Sequence, residues 1–157
     1  MASGCIVVTG GGGALGSAVV RELVHRGYEV AIVDSPKAEA HAKEIAAALG
    51  DKAFAFGFDV TSSEAWTTAI TAIEKRGMPI VGAALIAGGW AGGSPLAEEN
   101  DESVWTRMLE SNATTVQRSL RALVPSMIDR KNGSIVVIGS RAVERPWTSA
   151  NASAYAA

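Results

Sequence analysis

The sequence is poor in cysteine, in aromatic side chains and in any excess of one charge. Cys5 is its single cysteine, so no internal disulfide is possible and no cysteine cluster can hold zinc. It reads as a small buried residue opening a strand, and it suits a reducing, cytoplasmic setting. Basic and acidic residues nearly cancel, 14 Lys and Arg against 16 Asp and Glu, for a formal charge of −2. No basic surplus draws the chain to nucleic acid or to anionic lipid. His25 and His41 stand alone on helical stretches and read as surface residues, so no metal site is expected. Met1 to Gly4 lack the basic start and apolar stretch of a signal peptide. The one long uncharged run, Gly77 to Ala97, spans 21 residues but holds six glycines and two prolines. It reads as a strand entering a glycine-rich loop rather than as a membrane span.

What is present is apolar and small. Hydrophobic residues make up 48% of the 157 positions, aromatics only 6%, and there are 17 glycines. Mean hydropathy is +0.18, which excludes a disordered chain. A chain of this length buries roughly 70% of its unfolded surface and has a real core. No repeat and no linker divides it, and residues 1–157 are read as one domain.

Strand-like and helix-like segments alternate. Cys5 to Val8, Val30 to Val33, Ala53 to Phe58, Ile80 to Ala87 and Ile135 to Ile138 read as strands. Leu15, Val19, Leu23 and Val24 recur at helical spacing, and Gly27 closes that helix. Pro36 to Leu49 reads as a second helix, with Pro in its first turn. Thr61-Ser62-Ser63-Glu64 matches a capping box ahead of the stripe Trp66, Ala69, Ile70 and Ile73. A long helix is expected from about Asp101 to Arg130, with Val104, Met108, Leu109, Val116, Leu120, Leu123 and Val124 on one side. Pro125 is expected to kink or end it. Strands this apolar are buried on both faces, which predicts an α/β fold: a doubly wound parallel sheet of strand order 3-2-1-4-5.

The strongest local signal is Thr9-Gly10-Gly11-Gly12-Gly13-Ala14-Leu15-Gly16, between the first strand and the first helix. Glycines there permit a tight turn and let N–H groups approach a pyrophosphate, which the helix N-terminus also favours. No lysine follows, which argues against a nucleoside-triphosphate P-loop. Asp34 closes the second strand 18 residues after Gly16, placed to accept hydrogen bonds from the ribose hydroxyls of NAD and to repel the extra phosphate of NADP. Lys37 pulls the other way, and Asp34 also reads as a helix cap. Asp59-Val60, after the third strand, suits either an adenine contact or a cap for the next helix. Ala87-Gly88, after the fourth, leaves room for the middle of a cofactor or simply makes a turn.

In this order these pieces resemble the short-chain dehydrogenase/reductase family, from Thr9 through Asp34, Asp59-Val60, Ala87-Gly88, Asn112 and Ser140 to Tyr155. The resemblance implies a Rossmann-like fold and hydride transfer between a nicotinamide cofactor, NAD rather than NADP, and a small alcohol or ketone. It implies Tyr155 as proton donor to the carbonyl oxygen, Ser140 as its hydrogen-bond partner, and Asn112 as support for a proton path. Thr9, Gly10, Gly12, Gly13, Ala14, Leu15, Gly16, Asp34, Asp59, Val60, Ala87 and Gly88 would hold the cofactor. It also implies a homo-oligomer for a full-length parent.

The sequence departs from the family in three places. Ala14 stands where the compact subgroup has its middle glycine, and Gly10, Gly13 and Gly16 fit the extended subgroup's spacing instead. Leu85-Ile86-Ala87-Gly88 replaces Asn-Asn-Ala-Gly. The family's lysine, four positions after the tyrosine, falls beyond Ala157, so a truncated chain lacking its last strands and poor in catalysis is expected. Two other functions stand beside the dehydrogenase: a non-catalytic dinucleotide-binding module or redox-responsive regulator, and a nucleotide-sugar epimerase or dehydratase of the extended subgroup. Trp90 and Trp147 are expected to line a substrate pocket, with Trp66 and Trp105 in the core or at an interface. Arg141 and Arg145 read as surface residues or as holders of an anionic substrate group.

Overall fold

A computed structural model describes residues 4–145, 147 and 150–157. Met1 to Ser3, Pro146, Thr148 and Ser149 lie outside it, and with them most of the expected N-terminal reading. Five strands form one sheet: β1 (Cys5–Thr9), β2 (Glu29–Asp34), β3 (Ala53–Gly57), β4 (Ile80–Leu85) and β5 (Ser134–Val137). Their order is β3-β2-β1-β4-β5 and every pair is parallel, as the sequence predicts. The order reverses at β1, so a crevice opens at the carboxyl ends of β1 and β4, where such sheets bind ligands.

Helices α1 (Ala14–His25) and α2 (Glu39–Ala48) cover one face of the sheet. They enclose Val8, Val20, Val30, Ile32, Ala42 and Ile45. Helices α3 (Ser63–Glu74) and α5 (Thr115–Asp129) cover the other, over Val7, Val33, Trp66, Ile73, Leu85 and Leu123. Alternate residues of β1 and β2 thus serve the two cores, which is why Cys5 to Val8 and Val30 to Val33 are apolar without a break.

Several expectations shift. Ser35 to Ala38 form a turn closed by the Ala38 N–H on the Ser35 carbonyl, so α2 starts at Glu39, beyond Pro36. The capping box does not form: Ser62 is the cap and accepts from the Ala65 N–H at 3.2 Å, while the Thr61 hydroxyl donates to Asp59 instead. The long rod runs as α4 (Glu102–Leu109), a π-helical turn over Glu110–Thr114, and α5. Of the expected stripe, Met108 and Leu123 are buried and Val116 and Leu120 pack against the core, with Thr115, Ser119 and Met127 buried beside them, while Leu109 is exposed. Pro125 neither kinks the rod to an end nor stops it, and the helix continues to Asp129.

The expectation of burial on both faces fails for β5. Ile135 packs on the Leu123 core, but Val136, Val137 and Ile138 are 57%, 45% and 49% exposed. Among the described residues β5 is an edge strand, paired with β4 alone. A short helix, α6 (Ser153–Ala156), ends the chain. No helix among the described residues is long and apolar enough to cross a membrane, and none of them form a metal-ligating group.

Candidate functional site

The glycine turn is built by close approach. Gly10 has φ +67°, and a side chain on it would meet the Ala87 amide nitrogen at 2.9 Å. A Cβ at Gly16 would collide with the Gly10 carbonyl oxygen, so α1 lies directly against the turn that precedes it. Gly11 is equally confined, by Ile32 at 2.7 Å. The sequence reading omitted it, although the run of four glycines carries that signal.

Helix α1 then begins with nothing to cap it. Gly13 sits at the N-cap in extended conformation, no side chain caps the helix, and its first turn has no acidic residue. The first N–H groups of a helix have no intrahelical partner, and here they meet solvent at exposed Ala14 and Leu15. An uncapped, glycine-cradled helix start of this kind fits a phosphate-bearing ligand.

Asp34 closes one side of this cradle. Its Oδ2 accepts from the Gly12 N–H at 2.8 Å and its Oδ1 from the Ser35 N–H at 2.7 Å. Each oxygen keeps a further lone pair for a hydroxyl donor. Thr9 is buried, and its hydroxyl oxygen accepts from the N–H groups of Ile86 and Ala87 at 3.1 and 3.2 Å. It locks the ends of β1 and β4 side by side behind the turn.

Asp59 orders the turn ahead of α3 and does not cap the helix, which Ser62 does: its Oδ1 accepts from the Thr61 N–H at 2.9 Å and from the Thr61 hydroxyl at 2.8 Å, with Oδ2 left over. Val60 is buried, and its carbonyl accepts from the Trp66 indole at 2.8 Å.

Asn112 lies within the π-helical turn, a local widening that often marks functional positions. Its Oδ1 accepts from the Gly89 N–H at 3.1 Å, and its Nδ2 donates to the Gly89 carbonyl at 3.0 Å. The amide thus clamps the loop that leaves β4. A side chain on Gly88 would stand 2.7 Å from Asn112 Oδ1, so glycine there lets the clamp close. Met108 also belongs to this knot, since its carbonyl accepts from Asn112 Nδ2 at 3.0 Å and its sulfur from the Ala91 N–H at 3.1 Å. The sequence reading treated Met108 only as core.

Ser140 follows β5, at the same end of the sheet, and its hydroxyl accepts from the Ala142 N–H at 3.2 Å. Tyr155 lies half-buried in α6 and makes no side-chain hydrogen bond among the described residues. The tail that carries it is anchored by the Gly93 N–H on the Asn151 carbonyl at 2.7 Å.

The tryptophans fall otherwise than expected. Trp90 and Trp147 are 63% and 73% exposed. A cavity of about 370 Å³ is lined instead by Trp105, with Ala91, Leu96, Glu102, Asn151 and Ala152 among its walls. None of Ser140, Tyr155 and Asn112 lines it. Trp66 is in the core as expected, and Arg141 and Arg145 are exposed.

A parallel sheet reversing at its first strand, with a glycine cradle and an acidic residue at the next strand's end, defines a dinucleotide-binding α/β protein. Residues 4–157 match the short chain dehydrogenase family, and the chain belongs to it. It is 34% identical over 143 residues to a 2,3-dihydro-2,3-dihydroxybenzoate dehydrogenase of Bacillus subtilis, covering 90% of this chain and 54% of that protein. It is 31% identical over 136 residues to 2-(S)-hydroxypropyl-CoM dehydrogenase 3 of Xanthobacter autotrophicus, covering 86% and 52%. Among solved structures, 3-hydroxyacyl-CoA dehydrogenase type-2 of Mycobacterium avium superposes with a TM-score of 0.87 at 25% identity, over 98% of this chain and 63% of that one. The chain spans about half the length of the curated relatives it matches.

Proposed function

We propose an NAD(P)-dependent oxidoreductase that interconverts a small alcohol and its carbonyl compound, with NADH preferred over NADPH. The observation that carries this reading is the uncapped start of α1 beside Asp34, whose carboxylate already orders the glycine turn. The relatives' names as dehydrogenases support the same chemistry.

When bound, the nicotinamide dinucleotide donates or accepts the hydride. In this reading Ala14, Leu15 and Gly16 present the free backbone N–H groups of the first turn of α1 to its phosphates, while Gly10, Gly12 and Gly13 form the tight turn that lets the phosphates approach and Thr9 holds that turn in place. Asp34 accepts from the ribose hydroxyls and repels a 2′-phosphate. Val60, Ala87 and Gly88 wall the crevice, and Asp59 keeps Oδ2 for the adenine edge. Tyr155 protonates the carbonyl oxygen, and Ser140 donates a hydrogen bond to it as charge develops. Asn112 holds the Gly88-Gly89 loop at the crevice floor and supports the proton path.

The sequence ends at Ala157, before the position of the family's lysine, so the test uses a form extended through that position. Tyr155→Phe is expected to lower ketone reduction by about 10²–10⁴-fold with NADH affinity unchanged. Undiminished turnover would remove Tyr155 from the mechanism.

A further inference from the structure

On the face of the sheet away from α1, a cleft of about 280 Å³ lies between α3 and α5. Its walls include Ser63 and Thr67 from α3 and Arg118 and Arg121 from α5, over Trp66 and Ile70. None of these residues takes part in the dinucleotide site. Arg118 and Arg121 stand three residues apart on one helix, so their side chains share a face. Neither guanidinium has a hydrogen bond or a carboxylate partner among the described residues. Arg118 Nε is moreover sealed from solvent without any acceptor. A buried donor of a charged group left unpaired is costly, and two neighbouring cations add repulsion.

The Thr67 hydroxyl donates to the Ser63 carbonyl at 3.1 Å, so only its lone pairs face outward. The Ser63 hydroxyl has no partner among the described residues and is a further donor to the cleft. Glu64, the nearest acidic neighbour in sequence, is not among the lining residues.

We propose that this cleft is an anion site for a phosphate group, free or carried on a small organic molecule. Two guanidinium forks match a dianion in charge and supply paired N–H donors to its oxygens. The apolar floor of Trp66, Ile70 and Ala122 suits the carbon portion of a phosphate ester.

The test is titration of the isotope-labelled 157-residue chain, followed by NMR, with inorganic phosphate and separately with phenyl phosphate. Sodium chloride at matched ionic strength is the control. Saturable shifts at the Arg118 and Arg121 Nε–H signals and at the amides of Ser63 to Thr67 are expected. Arg121→Gln, on an exposed side chain, is expected to weaken phosphate binding at least tenfold. Arg118→Gln is expected to do the same, and the Arg121 variant keeps the test decisive if that protein does not fold. Phenyl phosphate binding more tightly than inorganic phosphate assigns the site to an organic phosphate, and the reverse assigns it to free phosphate. Shifts confined to Gly10 to Gly16, shifts reproduced by chloride, or undiminished binding by Arg121→Gln would overturn the proposal.

Discussion

The Gly12 N–H donates to Asp34 Oδ2 at 2.8 Å, tying the first turn of the fold to the end of its second strand. One carboxylate therefore both shapes the glycine turn and faces the proposed ribose position. Asp34→Ala removes the acceptor for two backbone N–H groups at once. Hydrogen bonds to a charged group are worth about 1.5–3 kcal/mol, so NADH affinity is expected to fall at least about tenfold by fluorescence titration. Thermal melting of the same variant should show a loss of a few degrees.

Gly16→Ala tests the contact between α1 and the turn. The added methyl meets the Gly10 carbonyl oxygen, and backbone on both sides limits relief. Overpacking of this kind costs about 1–3 kcal/mol. Denaturant unfolding is expected to show that loss with an unchanged slope. A neutral result would mean that α1 shifts freely on the turn.

Asn112→Ala opens the clamp on Gly89. Both Gly89 backbone groups lose their side-chain partner, and the π-helical turn loses its anchor. Hydrogen exchange at the Gly89 amide is expected to quicken about tenfold or more, while exchange in β1 stays slow. Asn112→Asp keeps an acceptor for the Gly89 N–H and should protect that amide better than alanine does.

Cys5 gives a pH signature. Burial, first among the causes, pushes its thiol up from 9.0 to about 12. The folded chain thus holds a proton that the unfolded chain releases between those values. Stability contributed by the neutral thiol is full below about pH 9 and declines as pH rises toward 12. At pH 8 a thiol reagent should label Cys5 only as fast as the chain unfolds. Rapid labelling under native conditions would contradict its burial.

The parallel sheet was legible because Cys5 to Val8 and Val30 to Val33 are apolar at every position, a pattern that fits a sheet covered on both sides. Asp34 and the glycine turn were legible because their spacing reflects one loop and one helix. Less legible was whatever depends on a single extra residue or on the choice of hydrogen-bond partner. The π-helical turn at Glu110–Thr114 advances the register of the long rod, and no periodicity in Val104 to Val124 announces it. Thr61 has two possible partners, and the Asp59 carboxylate two positions before it takes the hydroxyl that the capping box assigned to the helix. The exposure of Val136 and Ile138 escapes composition altogether, because a strand's apolar residues report the cover they suit and not the cover described here.

The central claim is dinucleotide binding at the glycine turn with Asp34 selecting the ribose. Titration of the chain with NADH and with NADPH, followed by nicotinamide fluorescence, tests it most directly. Saturable binding of both, tighter for NADH and levelled by Asp34→Ala, is the expected result. No saturable NADH signal, or NADPH bound as tightly as NADH by the unaltered chain, would contradict it.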